Sequence, residues 1–292
     1  MDFGQKLKEI RKNHGLSQEQ LAEKIGVSRQ AITKWETGKG MPDIENMMIL
    51  AEIFKTTLDE LVSQVMPQHD EKHPVYHSET SFDIDRLMHF DMRIGAAHSL
   101  TVCMGKDEKL HIDLASASLP NIGSLFKVKL DENRGKLDME CIKKENVSRY
   151  EAADALSVTI SLPNGLTGHC EIAASVKELH LMNLALDRLE YDGDAQSITA
   201  ANCCGNIELT SRTNHDITLD GICGVMEINQ WKSESVVHIP GDADFRVQNK
   251  GRGCHVFFQQ NGEAAENGGR ENSANLLCLS GVHSELIVDL QY

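Results

Sequence analysis

Residues 16–42, LSQEQLAEKIGVSRQAITKWETGKGMP, hold two short helical patterns on either side of a glycine. Ser17 precedes the first pattern and Gln20 follows three residues on. That is the spacing of a capping box, in which side chains and backbone amides satisfy each other at a helix start. Leu21 and Ile25 continue an apolar stripe that Phe3, Leu7 and Ile10 begin on an earlier helical pattern. Gly26 sits just past the last helical residue, where a left-handed conformation lets the chain reverse sharply. Ser28 then caps a helix over 28–37, and Ile32 and Trp35 turn one side of that helix inward. Two helices locked across a tight glycine turn form a helix-turn-helix.

The second helix of such a unit fits the major groove, with its first residues toward base edges. On helix 28–37 the residues away from Ile32 and Trp35 are Arg29, Gln30, Thr33 and Lys34, and these four are the expected base readers. Arg pairs in a bidentate way with guanine and Gln with adenine, each good pair discriminating by about 1–3 kcal/mol. Gln18 and Ser28 at the two helix starts, and Lys39 in the following loop, are the expected phosphate contacts. Trp35 reads as core rather than as a stacking platform, and Lys12 and Lys24 as a solvated face.

The stretch RKNHGLSQEQLAEKIGVSRQAITKWETGKGMPDIENMMILAEIF resembles the Cro/C1 type of helix-turn-helix, the XRE family, across residues 3–64. The matching features are Arg11, the LSQEQLA opening, the GVSRQAI turn, the WETG exit, Pro42, and TLDEL at 57–61. The resemblance implies a five-helix bundle that binds operator DNA, usually as a dimer, with base contacts from Arg29, Gln30 and Lys34. It also implies that Arg11 pairs with Glu36 to support the recognition helix.

The chain of 292 residues carries a formal charge of -15, which by itself argues against nucleic acid as a partner. The distribution reverses that argument locally. Residues 1–40 hold eight Lys and Arg against five Asp and Glu, a net of +3, so nearly all the acidic excess lies downstream. With 40% hydrophobic and 25% charged residues the composition is that of a soluble globular protein of one large or two ordinary domains. The longest apolar stretch, around MMILAEIF, is far shorter than the roughly 20 residues of a membrane helix, and no basic-then-apolar leader opens the chain. A cytoplasmic protein without membrane partners is expected. Eight cysteines with no C-x-x-C pair lead one to expect reduced thiols.

The periodicity changes partway along. Helical spacing runs through residues 1–65, a DNA-binding domain. Residues 66–82, including the polar and proline-bearing PQHDEKHPVYHSETS, read as a linker, and 83–292 as an all-β domain of short alternating strands. Apolar strand centres fall at Leu179, Leu189, Ile198, Ile207, Ile217, Met226 and Val236, at steps of nine or ten residues. Two strands and two turns per coil, about 19 residues, make a narrow β-solenoid whose coils stack to bury a shared face. A β-sandwich of hairpins has similar strand spacing. Residues 261–275, NGEAAENGGRENSAN, read as a mobile loop before a final strand pair.

The segment SITAANCCGNIELTSRTNHDITLDG resembles the bacterial adhesin type of repeat domain, whose strands run V-x-V-x-x-x-x-G-x-I-x-L. Zinc-ligand residue types are present at His169, Cys170, His180, Cys203, Cys204, Cys223, Cys254, His255, Cys278 and His283. No recognised ligand spacing joins them, and cysteine in stacked strands serves as a small core residue, so no metal and no cofactor is expected. There is no G-x-S-x-G elbow, no H-E-x-x-H and no phosphate loop. Asp216 and Asp220 read as a solvated face, and no enzymatic activity is expected.

These features lead to a sequence-specific transcriptional regulator, a homodimer on an inverted-repeat operator in double-stranded DNA. Its β domain would oligomerise the chain, sense an unidentified small-molecule effector, or do both. Two alternatives stay open at this stage: a scaffold whose helical domain binds a protein partner, and a metal- or redox-sensing regulator that uses the Cys and His of the β domain.

Overall fold

A computed structural model describes residues 7–8, 11–12, 16–37, 40–42, 44–54, 76–260, 262–265 and 268–292. The chain divides after His73 into two compact units.

The first unit is helical. Residues 7–8 and 11–12 lie in helix, and Gln18–Ile25, Arg29–Glu36 and Ile44–Phe54 form three further helices. Leu7, Leu21, Ile25, Ile32, Trp35, Leu50 and Phe54 are buried in one cluster, so apolar residues at helical spacing meet from every described helix. The expected core residues Phe3 and Ile10, and TLDEL at 57–61, lie outside the described residues.

The second unit is a large, mostly β structure of seventeen strands hydrogen-bonded into one sheet among the described residues. Three long strands carry its first half: β2 (Met88–Met104), β7 (Thr167–Met182) and β8 (Ala185–Ala201). Around β2 lie β1 (Tyr76–Asp83), β3 (Lys109–Ser116), β4 (Phe126–Asn133), β5 (Lys136–Lys143) and β6 (Ser157–Leu162). Beyond β8 the strands shorten into β9 (Cys204–Ser211), β10 (Asp216–Leu219), β11 (Cys223–Trp231) and β12 (Glu234–Pro240). The chain closes with β13 (Arg246–Asn249), β14 (His255–Gln260), β15 (Glu263–Ala265), β16 (Leu276–Val282) and β17 (Glu285–Gln291).

Most of these strands pair in parallel, and the pairing sorts the apolar residues into two columns. In one, Phe90, Cys170, Leu189, Ile207, Met226 and Leu277 stand opposite one another in turn. In the other, Leu100, Leu179, Ile198, Ile217, Val237 and Val288 do the same. All twelve are buried, at about 1.5–3 kcal/mol for each large apolar side chain withdrawn from water. The inward residue of β12 is Val237 and not the expected Val236, which is only half-buried.

Turn chemistry keeps the same step. Asn183 (φ 53°), Asn202 (φ 54°) and Gly221 (φ 103°) each bend the chain in the left-handed region, which Asn and Gly adopt at least cost, and Asn202 donates to the Asn183 side chain at 3.2 Å. The long strands bend as well. In β7 the buried positions run Cys170, Ile172, Ala174 and Val176, then change parity to Leu179 and Leu181. At the bend Gly95, Ala174 and Gly193 are register partners, and a Cβ on Gly193 would lie 1.7 Å from the Ala174 carbonyl oxygen.

Four sequence expectations need correction. Residues 76–82, placed in the linker, belong to strand β1 and pair antiparallel with β3, because alternate residues of the strand turn toward the β unit. The described residues 262–265 and 268–275 of the expected loop are not simply a loop: β15 pairs with β14, Asn275 accepts from the Gly224 amide and donates to the Asp244 carbonyl, and Arg270 N–H donates to the Phe245 carbonyl at 2.5 Å. Strands β16 and β17 pair not with each other but with β11 and β12, inserting between those strands and β13 and β14. Finally, Cys204 and Cys223 face each other across parallel strands with Cα atoms 4.6 Å apart and form a disulfide.

Candidate DNA interface

Local chemistry builds the helix-turn-helix residue by residue. The Ser17 hydroxyl accepts from Gln20 N at 3.1 Å and the Gln20 side chain accepts from Ser17 N at 2.7 Å, which completes the capping box. Gly26 closes that helix at φ 80° and ψ 27°, and its N–H donates back to Ala22 and Glu23. Ser28 starts the next helix by accepting from Ala31 N at 3.2 Å. Glycine reaches the left-handed conformation of residue 26 with no Cβ penalty, so Gly26 sets the turn.

Helix Arg29–Glu36 then has two distinct sides. Ile32 and Trp35 are buried in the cluster that also holds Leu21 and Leu50, while Arg29, Gln30, Thr33 and Lys34 are exposed together. The end of the helix is held by charge. Arg11 Nε donates to Glu36 Oε1 at 2.5 Å and Nη2 to Oε2 at 3.1 Å, while Nη1 donates to the Leu16 carbonyl at 2.6 Å. Glu36 closes a helix, where a negative charge opposes the partial charge of the carbonyl end, so a buried cation is needed to hold it there. Only 9% of the Arg11 side chain and 1% of that of Glu36 is exposed.

Gln18 is tied to the same network, since its amide nitrogen donates to Glu36 Oε2 at 2.8 Å. The hydroxyl of Thr33 donates to the Arg29 carbonyl at 3.1 Å, its stronger contact, with the Gln18 amide oxygen at 3.4 Å. Sequence reasoning placed Gln18 toward phosphate and missed this link. Its signal was available: an amide at the first position of one helix lies beside whatever the next helix presents. Ser28 is exposed at its helix start, and Lys39 lies outside the described residues.

The cysteine and histidine candidates are dispersed. Cys170, Cys254 and Cys278 are buried in the β unit, and burial pushes the Cys170 and Cys278 thiols up from their ordinary range. Cys203 is half-buried and raised for the same reason, and Cys204 and Cys223 are consumed by their disulfide. His169 Nε2 lies 3.2 Å from Glu190, and His180 Nε2 3.5 Å from Glu178. Among the described residues no three His, Cys, Asp or Glu side chains converge on a site that could hold a metal ion.

A glycine-turned pair of capped helices, one with a buried seam and an exposed polar row, defines the helix-turn-helix class of domain. Residues 7–61 match the family described as Helix-turn-helix. The chain is 49% identical over 63 residues to the HTH-type transcriptional activator BcrR of Enterococcus faecalis, an overlap of 22% of this chain and 31% of that protein. It is 35% identical over 68 residues to the SPbeta prophage-derived uncharacterised HTH-type transcriptional regulator YonR of Bacillus subtilis, covering 23% of this chain and 63% of YonR. It is 34% identical over 56 residues to an uncharacterised HTH-type transcriptional regulator of Archaeoglobus fulgidus, covering 19% of this chain and 80% of that protein. Through this N-terminal segment the chain belongs to the Cro/C1-type helix-turn-helix family of transcriptional regulators. It spans less than two thirds of the length of BcrR and of YonR.

The β unit is similar to solved structures of a candidate cell adhesion protein from Clostridium sporogenes and a candidate adhesin from Bacteroides fragilis. The first has a TM-score of 0.41 at 12% identity, covering 75% of this chain and 100% of that one. The second has a TM-score of 0.33 at 13% identity, covering 73% and 97%. Adhesion is not carried over to this chain from likenesses of that level. No helix among the described residues is long and apolar enough to cross a membrane.

Proposed function

We propose that this protein is a sequence-specific DNA-binding transcriptional regulator that reads the major groove with helix Arg29–Glu36. The observation that carries the reading is the exposed row Arg29, Gln30, Thr33 and Lys34 on a helix whose opposite side is buried and whose end is clamped by Arg11 and Glu36. Those four side chains contact base edges, and Gln18, Ser28 and Lys39 position the helix on phosphates. One such helix supplies few base contacts, so the active species is a homodimer on half-sites about 34 Å apart. The β unit, beginning at about residue 76, is a narrow solenoid with about 19 residues per coil, an inference supported by register partners such as Ile198 with Ile217 and Ile207 with Met226. It serves dimerisation and effector sensing.

Selection of bound sequences from a random duplex pool tests this directly, with the full chain beside an Arg29→Ala, Gln30→Ala variant. An enriched inverted repeat that degenerates in the variant supports the reading. Enrichment of nothing by the wild type would refute it and favour a protein partner for the helical domain. The affinity for the enriched duplex falls steeply with salt, and Lys39→Ala flattens the logarithmic slope by about one counterion.

A further inference from the structure

The β unit contains a pocket of about 520 Å³ at the bend of its long strands. Strand β2 changes partner there. It pairs with β5 through residues 89–93 and with β6 from Ser99 onward, so the stretch between is left without a strand neighbour on that side. The opposite neighbour, β7, shows a register shift between Arg93 and Gly95. The bend is lined by small residues, Gly95, Ala96, Ala173, Ala174 and Ser175. Gly95 stands at φ +78°, and a Cβ built on it would meet nothing within 4 Å. Small side chains at a bend that nothing refills leave a hollow, and the buried Ile94, Phe126 and Cys141 line it with apolar surface.

The charges at this pocket are all of one sign. Arg93, Lys143 and Arg149 line it, with no Asp or Glu among the lining residues. Arg93 has a loose partner in Asp91 at 3.7 Å, and Lys143 donates to the carbonyls of Lys144 and Val147. Arg149 has no ion-pair or hydrogen-bond partner among the described residues, and it stands in the first turn of helix Arg149–Ala155, where a cation is the unfavourable sign. Helix stability therefore does not account for it. Burial raises the Cys141 thiol to about 11, which leaves it neutral and adds no counter-charge.

We infer that this pocket binds a free organic acid with an apolar body and a single carboxylate, the apolar part seated against Ile94, Ala174 and Phe126 and the carboxylate met by Arg149 and Lys143. The volume falls in the range of small-molecule sites, which combine an apolar lining with a few placed polar groups. Guanidinium and carboxylate match in a charge-assisted pair, the contact that gives such a site its preference. The inference deepens the regulatory reading by assigning the effector's chemistry, and in that respect rests on it.

Calorimetric titration of the full-length protein tests the site with sodium octanoate and sodium 1-naphthoate, beside octan-1-ol and octylammonium as neutral and cationic counterparts. Saturable binding of a carboxylate is expected, with octanol at least about tenfold weaker and octylammonium weaker still. Arg149→Gln combined with Lys143→Gln lowers octanoate affinity about tenfold and leaves octanol unchanged. Ala173→Phe, at an exposed position on the pocket wall, abolishes both while circular dichroism and the melting temperature stay those of the wild type. Failure of both carboxylates to bind, equal affinity for octanoate and octanol, or binding unaltered in the variants overturns the proposal. Titration with the selected duplex, done separately, keeps the two readings apart. Carboxylate binding without DNA binding defeats the regulatory reading alone, and DNA binding without carboxylate binding defeats the pocket alone.

Discussion

Arg11 grips both carboxylate oxygens of Glu36 from 25 residues away, with Nε to Oε1 at 2.5 Å and Nη2 to Oε2 at 3.1 Å. The pair is buried and ties an early helical segment to the end of helix Arg29–Glu36. Removing one partner strands the other charge out of water, at about 3–5 kcal/mol. Glu36→Ala is therefore expected to unfold the helical unit at much lower urea, and the double change Arg11→Met, Glu36→Leu to lose less than either single change. Trp35 fluorescence in a Trp231→Phe background reports the transition. Equal losses for single and double variants would show that the pair contributes packing only.

Glycine at two positions answers to different physics. Gly193→Ala places a Cβ 1.7 Å from a backbone oxygen, which no side-chain adjustment relieves, and the β unit is expected not to fold. Gly165 (φ +73°) has open space around it, so Gly165→Ala carries only the left-handed penalty of about 1–2 kcal/mol. Soluble yield and thermal melting separate the two.

His215 gives the β unit an acid-sensitive element. It is buried, its Nδ1 lies 2.5 Å from the Ala195 carbonyl, and burial first of all holds its pKa below the ordinary value. With a lower pKa folded than unfolded, the unfolded chain takes up the proton first, so stability falls with pH below about 6.5 and continues to fall down to the lowered native value. His215→Asn, which keeps an N–H donor in reach, should flatten this part of the profile of melting temperature against pH. A slope unchanged in the variant would place the sensitivity elsewhere.

Reduction should weaken the β unit. The Cys204–Cys223 bridge closes a loop of sequence separation 19, for which the chain-entropy account gives about 3 kcal/mol. A thiol reductant is expected to lower the melting temperature, and Cys204→Ser to lower it equally while abolishing the response to reductant. If reductant acted on Cys204→Ser as it does on the wild type, the bridge would not be its target.

The helix-turn-helix was legible in the sequence because it is made by local interactions. Ser17 with Gln20, Gly26, and Ser28 with Ala31 act within four residues of one another, and Ile32 and Trp35 announce their buried side by helical spacing. The 19-residue step of the β unit was legible for a similar reason, since alternation and turn residues repeat in phase, as Asn183, Asn202 and Gly221 do.

What only the tertiary structure decided depends on contacts between residues far apart in the chain. The order of strands at the end is one case: Met226 stands opposite Leu277 instead of the next strand in sequence, because a short periodic pattern fits equally well against any neighbour of the same period. The bridge between Cys204 and Cys223 is another, since spacing does not reveal that two turns face each other in register. The pocket at the bend of β2 is a third. Gly95, Ala174, Phe126, Cys141 and Arg149 come from five separate segments, and no run of residues signals that small side chains from one will leave a hollow beneath charges from another. Periodicity and capping are written over a few residues, whereas strand order, cross-links and cavities are properties of which segments meet.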